Sequence, residues 1–223
     1  KRIVKNKYSH KSRVIPNGYD LEDKPREMVK KNKALKILYV GSMYGGKRDL
    51  TPLFKAISAL NNKLCEFHYA GAESFIIEKQ IYDCQADISY FNHGLLIRKH
   101  VLKLQKQSDI LVVSTWNNKG EEGVFPGKFI EYLMFEKPII SIGQGNLANS
   151  EIKNIILEGN LGFSYEEITD SVDIVKLTEY IKMQQSAKSI DKSLVFNPVQ
   201  KVVDRYNIKN VFLQFERIIN NEI

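Results

Sequence analysis

Six short apolar runs, rich in β-branched residues and separated by longer amphipathic stretches, constrain this 223-residue chain more than any other feature. Continuous apolar runs without polar alternation are buried on both faces, which is the condition of strands in a parallel sheet with helices on both sides. The runs place strands at Leu35 to Val40, Cys65 to Ala70, Ile88 to Phe91, Asp109 to Ser114, Pro138 to Ile142 and Gly162 to Tyr165. In the first intervening helix Thr51 is a candidate cap and Pro52 suits the first helical position, while Leu53, Phe54, Ala56, Ile57 and Leu60 share a face. After Tyr165 only helical patterns remain, the last being Val211 to Ile219, which either packs on the sheet or crosses toward another domain. Asp20 to Lys33, dense in charge and broken by Pro25, reads as a linker, preceded by an extended Arg13 to Ile15 and an Asn17-Gly18 turn.

A hydrophobic content of 43% suffices for one sizeable core. The 33 Lys and Arg against 26 Asp and Glu give a net charge of +7, which favours anionic partners such as phosphate esters and acidic lipid. Nucleic acid is set aside, because the basic residues are spread along the chain without an RNA-binding or zinc-finger pattern. Cys65 and Cys84 are too few for a disulfide scaffold or metal site and are expected as buried free thiols. No apolar run is long enough to span a bilayer, and KRIVKNKYSH lacks the apolar core of a signal peptide, so a cytoplasmic location is expected. A start without Met points to an excised piece of a longer chain.

In an open parallel sheet, ligands bind beyond the C-terminal ends of the strands. The first such loop, Gly41-Ser42-Met43-Tyr44-Gly45-Gly46-Lys47-Arg48, combines glycines that admit close backbone approach with a point charge and a planar fork suited to a diphosphate. A tight turn with solvated basic residues reads equally well, and no Walker pattern follows. The loop from Thr115 to Pro126 leads into a helix at Gly127-Lys128-Phe129-Ile130-Glu131, whose first turn offers backbone amides and a lysine to an anion. Glu131 lies on the same face as Lys128, where it can accept hydrogen bonds from ribose hydroxyls. Taken alone, the pair reads more simply as a surface ion pair. His93 lines a third loop, Asn92 to Arg98. His10, His68 and His100 have no evident partner. No Asp-x-Asp pair occurs, so no metal is expected and leaving-group charge falls to cations and helix ends.

Taken together, several segments resemble glycosyltransferase family four, whose members are retaining enzymes of the two-domain GT-B type. They are Val14 to Asp20, Leu38 to Gly41 with Lys47-Arg48-Asp49, Ser108 to Ser114, Gly127 to Leu133, and Lys137-Pro138-Ile139-Ile140. The resemblance implies a Rossmann-like α/β fold, the C-terminal half of a GT-B enzyme. Residues 1–34 would end the acceptor domain and form the linker, and 35–223 would be the nucleotide-sugar donor domain with its C-terminal helices. It further implies that Gly41, Ser42, Lys47 and Arg48 meet the donor's phosphates, that Glu131 holds the ribose, and that the backbone near Leu96 lines the base. Gly123, Gly127 and Lys128 would surround the sugar and diphosphate. The family often has another glutamate eight positions before Glu131, where this chain has Gly123. Either Glu122 fills that catalytic role from a shifted loop, or the chain belongs to a branch without it, which the Gly-Lys-Phe-Ile-Glu-Tyr-Leu block favours.

The implied activity is sugar transfer from a nucleotide-diphosphate-sugar, with no cofactor, in synthesis of bacterial surface polysaccharide or glycolipid. A saccharide or lipid-linked acceptor and a missing N-terminal domain would be its partners, and the chain alone would turn over poorly. Lys1, Arg2, Lys5, Lys7, Lys11 and Arg13 offer peripheral contact with an anionic membrane, although a solvated basic stretch is the commoner case. Two other classes compete. Gly143-Gln144-Gly145-Asn146-Leu147-Ala148 fits the G-x-G-x-x-A dinucleotide fingerprint, with Glu166 and Glu167 about twenty residues on, as in a nicotinamide-dependent oxidoreductase. A nonenzymatic nucleotide-binding module is the other.

Overall fold

A computed structural model describes residues 13–26, 33–61, 63–122, 124–191 and 193–220. The alternation expected from sequence is present as β1 (Leu35–Val40), α1 (Thr51–Ser58), β2 (Cys65–Ala70), α2 (Ser74–Asp83), β3 (Ser89–Asn92), α3 (Arg98–Gln107), β4 (Ile110–Trp116), α4 (Gly127–Leu133), β5 (Ile139–Gln144), α5 (Glu151–Gly159), β6 (Gly162–Glu166), α6 (Asp170–Asp191), α7 (Gln200–Asp204) and α8 (Ile208–Ile219). All strands are parallel, in the order β3-β2-β1-β4-β5-β6. The winding direction reverses between β1 and β4, which pair directly through Ile37 with Ile110, Leu38 with Leu111 and Tyr39 with Val112. Loops leaving those two strands diverge to opposite sides and open a crevice at the switch point.

The strands are apolar throughout because each feeds two cores. Leu35, Ile37 and Tyr39 of β1 join Ile110 and Val112 of β4 in a cluster closed by α1, α2 and α6. Leu38, Val40, Leu111 and Val113 point the other way, against α3, α4, α5 and α7. At the end of the sheet away from the crevice, Lys137 donates to the carbonyls of Gln105 (3.3 Å), Lys106 and Ser108, closing the C-terminus of α3. The largely buried Lys188 pairs with Asp109, which also accepts from the Lys36 amide (2.8 Å).

Several local expectations change. Thr51 does not cap α1. It is the first helical residue, and its amide donates to the Asp49 carboxylate at 2.8 Å, so Asp49 supplies the acceptor that Thr51 was expected to be. The segment from Asp20 is not a free linker at its start. Asp20 closes a single 3-10 turn over Leu21–Asp23, Lys24 pairs with Glu136 at 2.9 Å, and Lys106 donates to the Pro25 carbonyl. Tyr19 is buried in the core, its amide donating to the Tyr206 carbonyl at 2.8 Å. The rest of that segment, residues 27–32, lies outside the described residues, as do Lys1, Arg2, Lys5, Lys7, His10, Lys11 and Gly123. α8 does not pack on the sheet: Val211 is buried, while Phe212, Leu213, Phe215 and Ile219 are exposed. Cys65 is buried, but Cys84 only partly.

His68 has the partners its sequence context did not supply. Its Nδ1 lies 2.9 Å from His93 Nε2 and its Nε2 lies 3.2 Å from the Glu66 carboxylate, with its ring stacked on Phe91. A carboxylate only accepts, so His68 Nε2 donates to Glu66 and the neutral Nδ1 accepts from His93 Nε2–H. A second proton on His68 would set two N–H groups against each other. Burial holds the His68 pKa below its ordinary value, the nearby His93 and Lys36 push the same way, and the Glu66 hydrogen bond only partly opposes them. The unfolded chain therefore binds the proton more readily. The stability contribution is complete above about pH 6.5 and is lost as pH falls toward the folded-state value. Urea unfolding should give a lower midpoint at about pH 5.5 than at about pH 7.5, with a smaller difference in His68→Phe; equal differences in the two proteins would place the acid sensitivity elsewhere.

Candidate functional site

The crevice at the switch point is built from two buried tyrosines upward. Tyr39 at the end of β1 and Tyr69 at the end of β2 stack with ring centroids 6.0 Å apart. Tyr69 donates its hydroxyl to the Gly41 carbonyl (3.0 Å), and Tyr39 donates to the Ser42 carbonyl (2.9 Å). Buried hydroxyls require partners, so the start of the loop is bound where these two end. Gly71 is required here, since a Cβ would lie 2.2 Å from the Tyr69 hydroxyl and 2.4 Å from the Gly41 carbonyl.

Lys47 and Arg48, adjacent in sequence, are used differently. Arg48 is only 9% exposed, and its guanidinium donates to Tyr39 Oη at 2.9 Å and to the Ser42 carbonyl at 3.0 Å. Its Nε is buried without a partner, and the guanidinium lies 4.5 Å from the centre of the Tyr44 ring. Lys47 is exposed, its ammonium 6.0 Å from the Trp116 ring centre, and Trp116 meets Tyr44 edge to face. Two aromatic rings thus border the cations with their electron-rich faces. Neither ring was singled out from sequence, because nothing local marks Trp116 at the end of β4 as a neighbour of Tyr44.

Two adjoining cavities share this loop. One, of about 190 Å³, is lined by Gly41, Ser42, Tyr44, Arg48, Gly127 and Lys128 among others. The second, of about 380 Å³, is lined by Gly41, Ser42, Gly71, Leu96, Arg98 and Lys128 among others. Seven expected site residues, Gly41, Ser42, Arg48, Leu96, Gly127, Lys128 and, one turn behind Lys128, Glu131, are therefore gathered in one place. Lys47 stands at the rim. Glu122 is exposed just after the turn closed by the Asn118–Glu121 bridge and lines neither cavity.

Glu131 is more than half of a surface pair. Its side chain is 14% exposed and accepts from Lys128 Nζ (2.7 Å), Gln105 Nε2 (2.6 Å) and Arg98 (2.9 Å). Burial pushes its pKa up, but the hydrogen bonds from Lys128 and Gln105 outweigh it and hold the group below its ordinary value, hence ionised. Exposed pairs contribute about 0–1 kcal/mol, whereas each hydrogen bond to a charged partner contributes about 1.5–3 kcal/mol, which places Glu131 in the second class. Arg98 is the residue the sequence did not reveal. At the head of α3 it bridges Glu131 and, at 2.5 Å, Asp23.

The dinucleotide fingerprint leads elsewhere. It follows β5, away from the switch point, and its backbone is consumed internally. The Gly145 amide donates to Glu167 (2.7 Å), while those of Asn149 and Ser150 donate to the buried Glu166 (2.9 and 2.8 Å), which also pairs with Lys153. Gly145 serves close packing at φ +112, since a Cβ there would lie 2.6 Å from the Asn117 carbonyl. The helix start where a pyrophosphate would sit is already filled by a carboxylate.

No protein-family profile matches the sequence, and neither does any curated protein sequence. Solved structures do match. Sucrose-phosphate synthase from Thermosynechococcus elongatus superposes with a TM-score of 0.64 at 14% identity, over 94% of this chain and 52% of that one. HepE from Anabaena, in complex with UDP and glucose, gives 0.60 at 12% identity over 94% and 57%. The lipopolysaccharide outer core galactosyltransferase WaaB gives 0.61 at 16% identity over 95% and 56%. The chain spans about half the length of the solved structures it matches. Six parallel strands in this order, layered between helices and matched to half of each of these enzymes, give the chain the Rossmann-like fold of the C-terminal half of a GT-B glycosyltransferase.

Proposed function

We propose that this chain is the donor-binding half of a retaining glycosyltransferase that takes a nucleotide-diphosphate-sugar. The observation that carries the reading is the convergence of Gly41, Ser42, Arg48, Lys128 and Arg98 on two adjoining cavities at the switch point, with ionised Glu131 behind them. Together the cavities fall in the range of about 300–1,000 Å³ that suits a small ligand. The diphosphate would lie against Gly41, Ser42 and the start of α4, its charge met by Lys47, Arg48 and Lys128. Glu131 would accept from the ribose hydroxyls in place of Arg98, and the base would rest by Leu96.

In the reaction, the bond between the anomeric carbon and the diphosphate oxygen breaks while the acceptor hydroxyl oxygen bonds to that carbon from the same face, its proton passing to the departing phosphate. Charge builds on the departing phosphate and is stabilised by Arg48, which the core already holds in place, by Lys128, and by Lys47 reaching in from the rim. A saccharide or lipid-linked acceptor, as in surface polysaccharide or glycolipid synthesis, would be held by a separate N-terminal domain, so this chain alone should bind donor and turn over slowly. Glu122 would fill the catalytic-glutamate role only from a shifted loop; otherwise the chain belongs to a branch without that glutamate, which the Gly127-to-Leu133 block favours. No helix among the described residues is long and apolar enough to cross a membrane. Peripheral contact through the basic residues up to Arg13 remains part of the proposal.

A nucleoside diphosphate, tried as UDP, GDP and ADP, should raise the melting temperature by about 2–4 °C per kcal/mol of linkage, and NAD should not. The cations and the start of α4 are matched to a diphosphate leaving group, whereas the amides after β5 that a dinucleotide would need are already taken by Glu166 and Glu167. Stabilisation by NAD alone would overturn the reading. Glu131→Gln should weaken nucleoside diphosphate binding by about tenfold and, because three donors lose a charged acceptor, cost about 1–3 kcal/mol of stability. Lost stability with unchanged affinity would leave Glu131 a structural role only.

A further inference from the structure

The loop after β1 has a second anchor, on the side away from the cavities. Glu73, between β2 and α2, stands at the head of α2 but does not cap it. Its side chain turns back to the glycine loop instead. One carboxylate oxygen accepts from the Ser42 hydroxyl and from the Met43 amide (2.7 Å), and the other accepts from the Gly45 amide (2.9 Å). Ser42 Oγ in turn accepts from the Tyr44 amide at 3.1 Å. The backbone that makes this possible is unusual, with positive φ in succession at Tyr44 (50°), Gly45 (63°) and Gly46 (95°). Successive residues of this kind turn their amides into a concavity that binds an anion. Here the anion is part of the chain.

Two arrangements would be consistent with a carboxylate on a phosphate-binding loop. Glu73 could compete with the ligand for the same amides, or it could brace the loop from behind. The cavities decide between them. Gly41, Ser42, Tyr44 and Arg48 line them, whereas Met43, Gly45 and Glu73 do not. The carboxylate therefore holds one side of the loop while the other side faces the crevice. The brace also reaches the tyrosine floor, since the Glu73 amide donates to Tyr69 Oη at 3.1 Å, and Tyr69 holds the Gly41 carbonyl.

Resting on the reading of the crevice as a nucleoside diphosphate site, we propose that Glu73 is a positioning residue of that site. It is a built-in anion that holds Ser42, Met43 and Gly45 in the conformation that turns Gly41, Ser42 and Arg48 toward the diphosphate. The hydrogen bond from Ser42, and next that from the Gly45 amide, keep its pKa below the ordinary carboxylate value, so the brace stays charged across the neutral range. Without it, three donors lose their acceptor and the positive-φ turn loses what compensates its strain. The ligand must then order the loop as it binds, which lowers affinity through the phosphates alone.

The test compares affinity for UDP, GDP and ADP with that for uridine, guanosine and adenosine, in the whole chain and in Glu73→Ala. The expected result is a loss of about tenfold for the diphosphate with nucleoside affinity unchanged within about a factor of two. Amide hydrogen exchange should quicken at Met43 and Gly45 but not in the strands. Glu73→Gln, which keeps one acceptor oxygen but sets its amide group against a backbone N–H, should fall between the two and decides the matter if the alanine variant does not fold. Equal diphosphate affinity in the variants, or nucleoside and diphosphate affinity falling together, would overturn the brace. Tighter diphosphate binding by Glu73→Ala would make Glu73 a competitor and overturn it as well. If the unmodified chain binds no nucleoside diphosphate, the reading of the site falls and the brace with it; if it binds, only the brace is at stake.

Discussion

Two phenol hydroxyls, those of Tyr39 and Tyr69, hold the crevice together. Each belongs to a ring fully buried in the sheet, and each ends on a carbonyl of the loop that leaves β1. A buried hydroxyl without a partner costs about 1–3 kcal/mol, so the packing of these two rings dictates where Gly41 and Ser42 lie. Arg48 then follows, drawn inward to Tyr39 and the Ser42 carbonyl instead of projecting into solvent. The cation is preorganised by groups that belong to the core. Lys47, which lacks such partners, keeps the freedom of a surface lysine beside Trp116.

Carboxylates explain which strand ends are open and which are closed. Behind β5, Glu166 is buried among the amides of Asn149 and Ser150 and paired with Lys153. Burial raises its pKa, yet those amides and the lysine more than compensate, and it stands below its ordinary value. That end of the sheet is self-satisfied and has nothing left for a phosphate. Around β1 and β4 the Glu73 carboxylate takes amides of the loop without lining the cavities, and cations are left facing them. Arg48 retains an unpartnered buried Nε, α4 begins at Gly127 with no side-chain cap, and Lys128 faces both cavities. The imbalance favours an anionic ligand at one crevice of a sheet that has several strand ends to choose from.

The two halves of the Gly127-to-Ile140 block do different work. Its beginning supplies Lys128 and Glu131 to the crevice, while Lys137, nine residues past Lys128, closes the C-terminus of α3 at the far end of the sheet. Both parts read as equally diagnostic in the sequence. Yet α3 connects them, because Arg98 at its head reaches Glu131 and the carbonyls at its tail receive Lys137. The orientation of that one helix thus helps to place the Glu131 carboxylate.

By itself the sequence determined the fold class, the six strands to within two residues at each end, and the loops at their C-terminal ends. Burial on both faces leaves continuous apolar runs, and glycine beside lysine or arginine is visible without knowing what it faces. Gly41, Ser42, Lys47, Arg48, Lys128 and Glu131 were legible for that reason, as was the ambiguity of Glu131, whose nearest sequence partner, Lys128, also occurs in ordinary surface pairs. What the sequence could not supply were the partners that tell these cases apart. Arg98 is 33 residues from Glu131, Gln105 is 26, and His68 is 25 from His93. These pairs exist because the strand order 3-2-1-4-5-6 brings separate crossovers together at one edge. The same order put the dinucleotide fingerprint on the wrong strand and turned Arg48 inward while Lys47 points out. Local patterns record whether a residue is buried, since burial acts on each position along the chain; which polar groups meet is decided by the spatial order of strands, and only the tertiary structure holds that information.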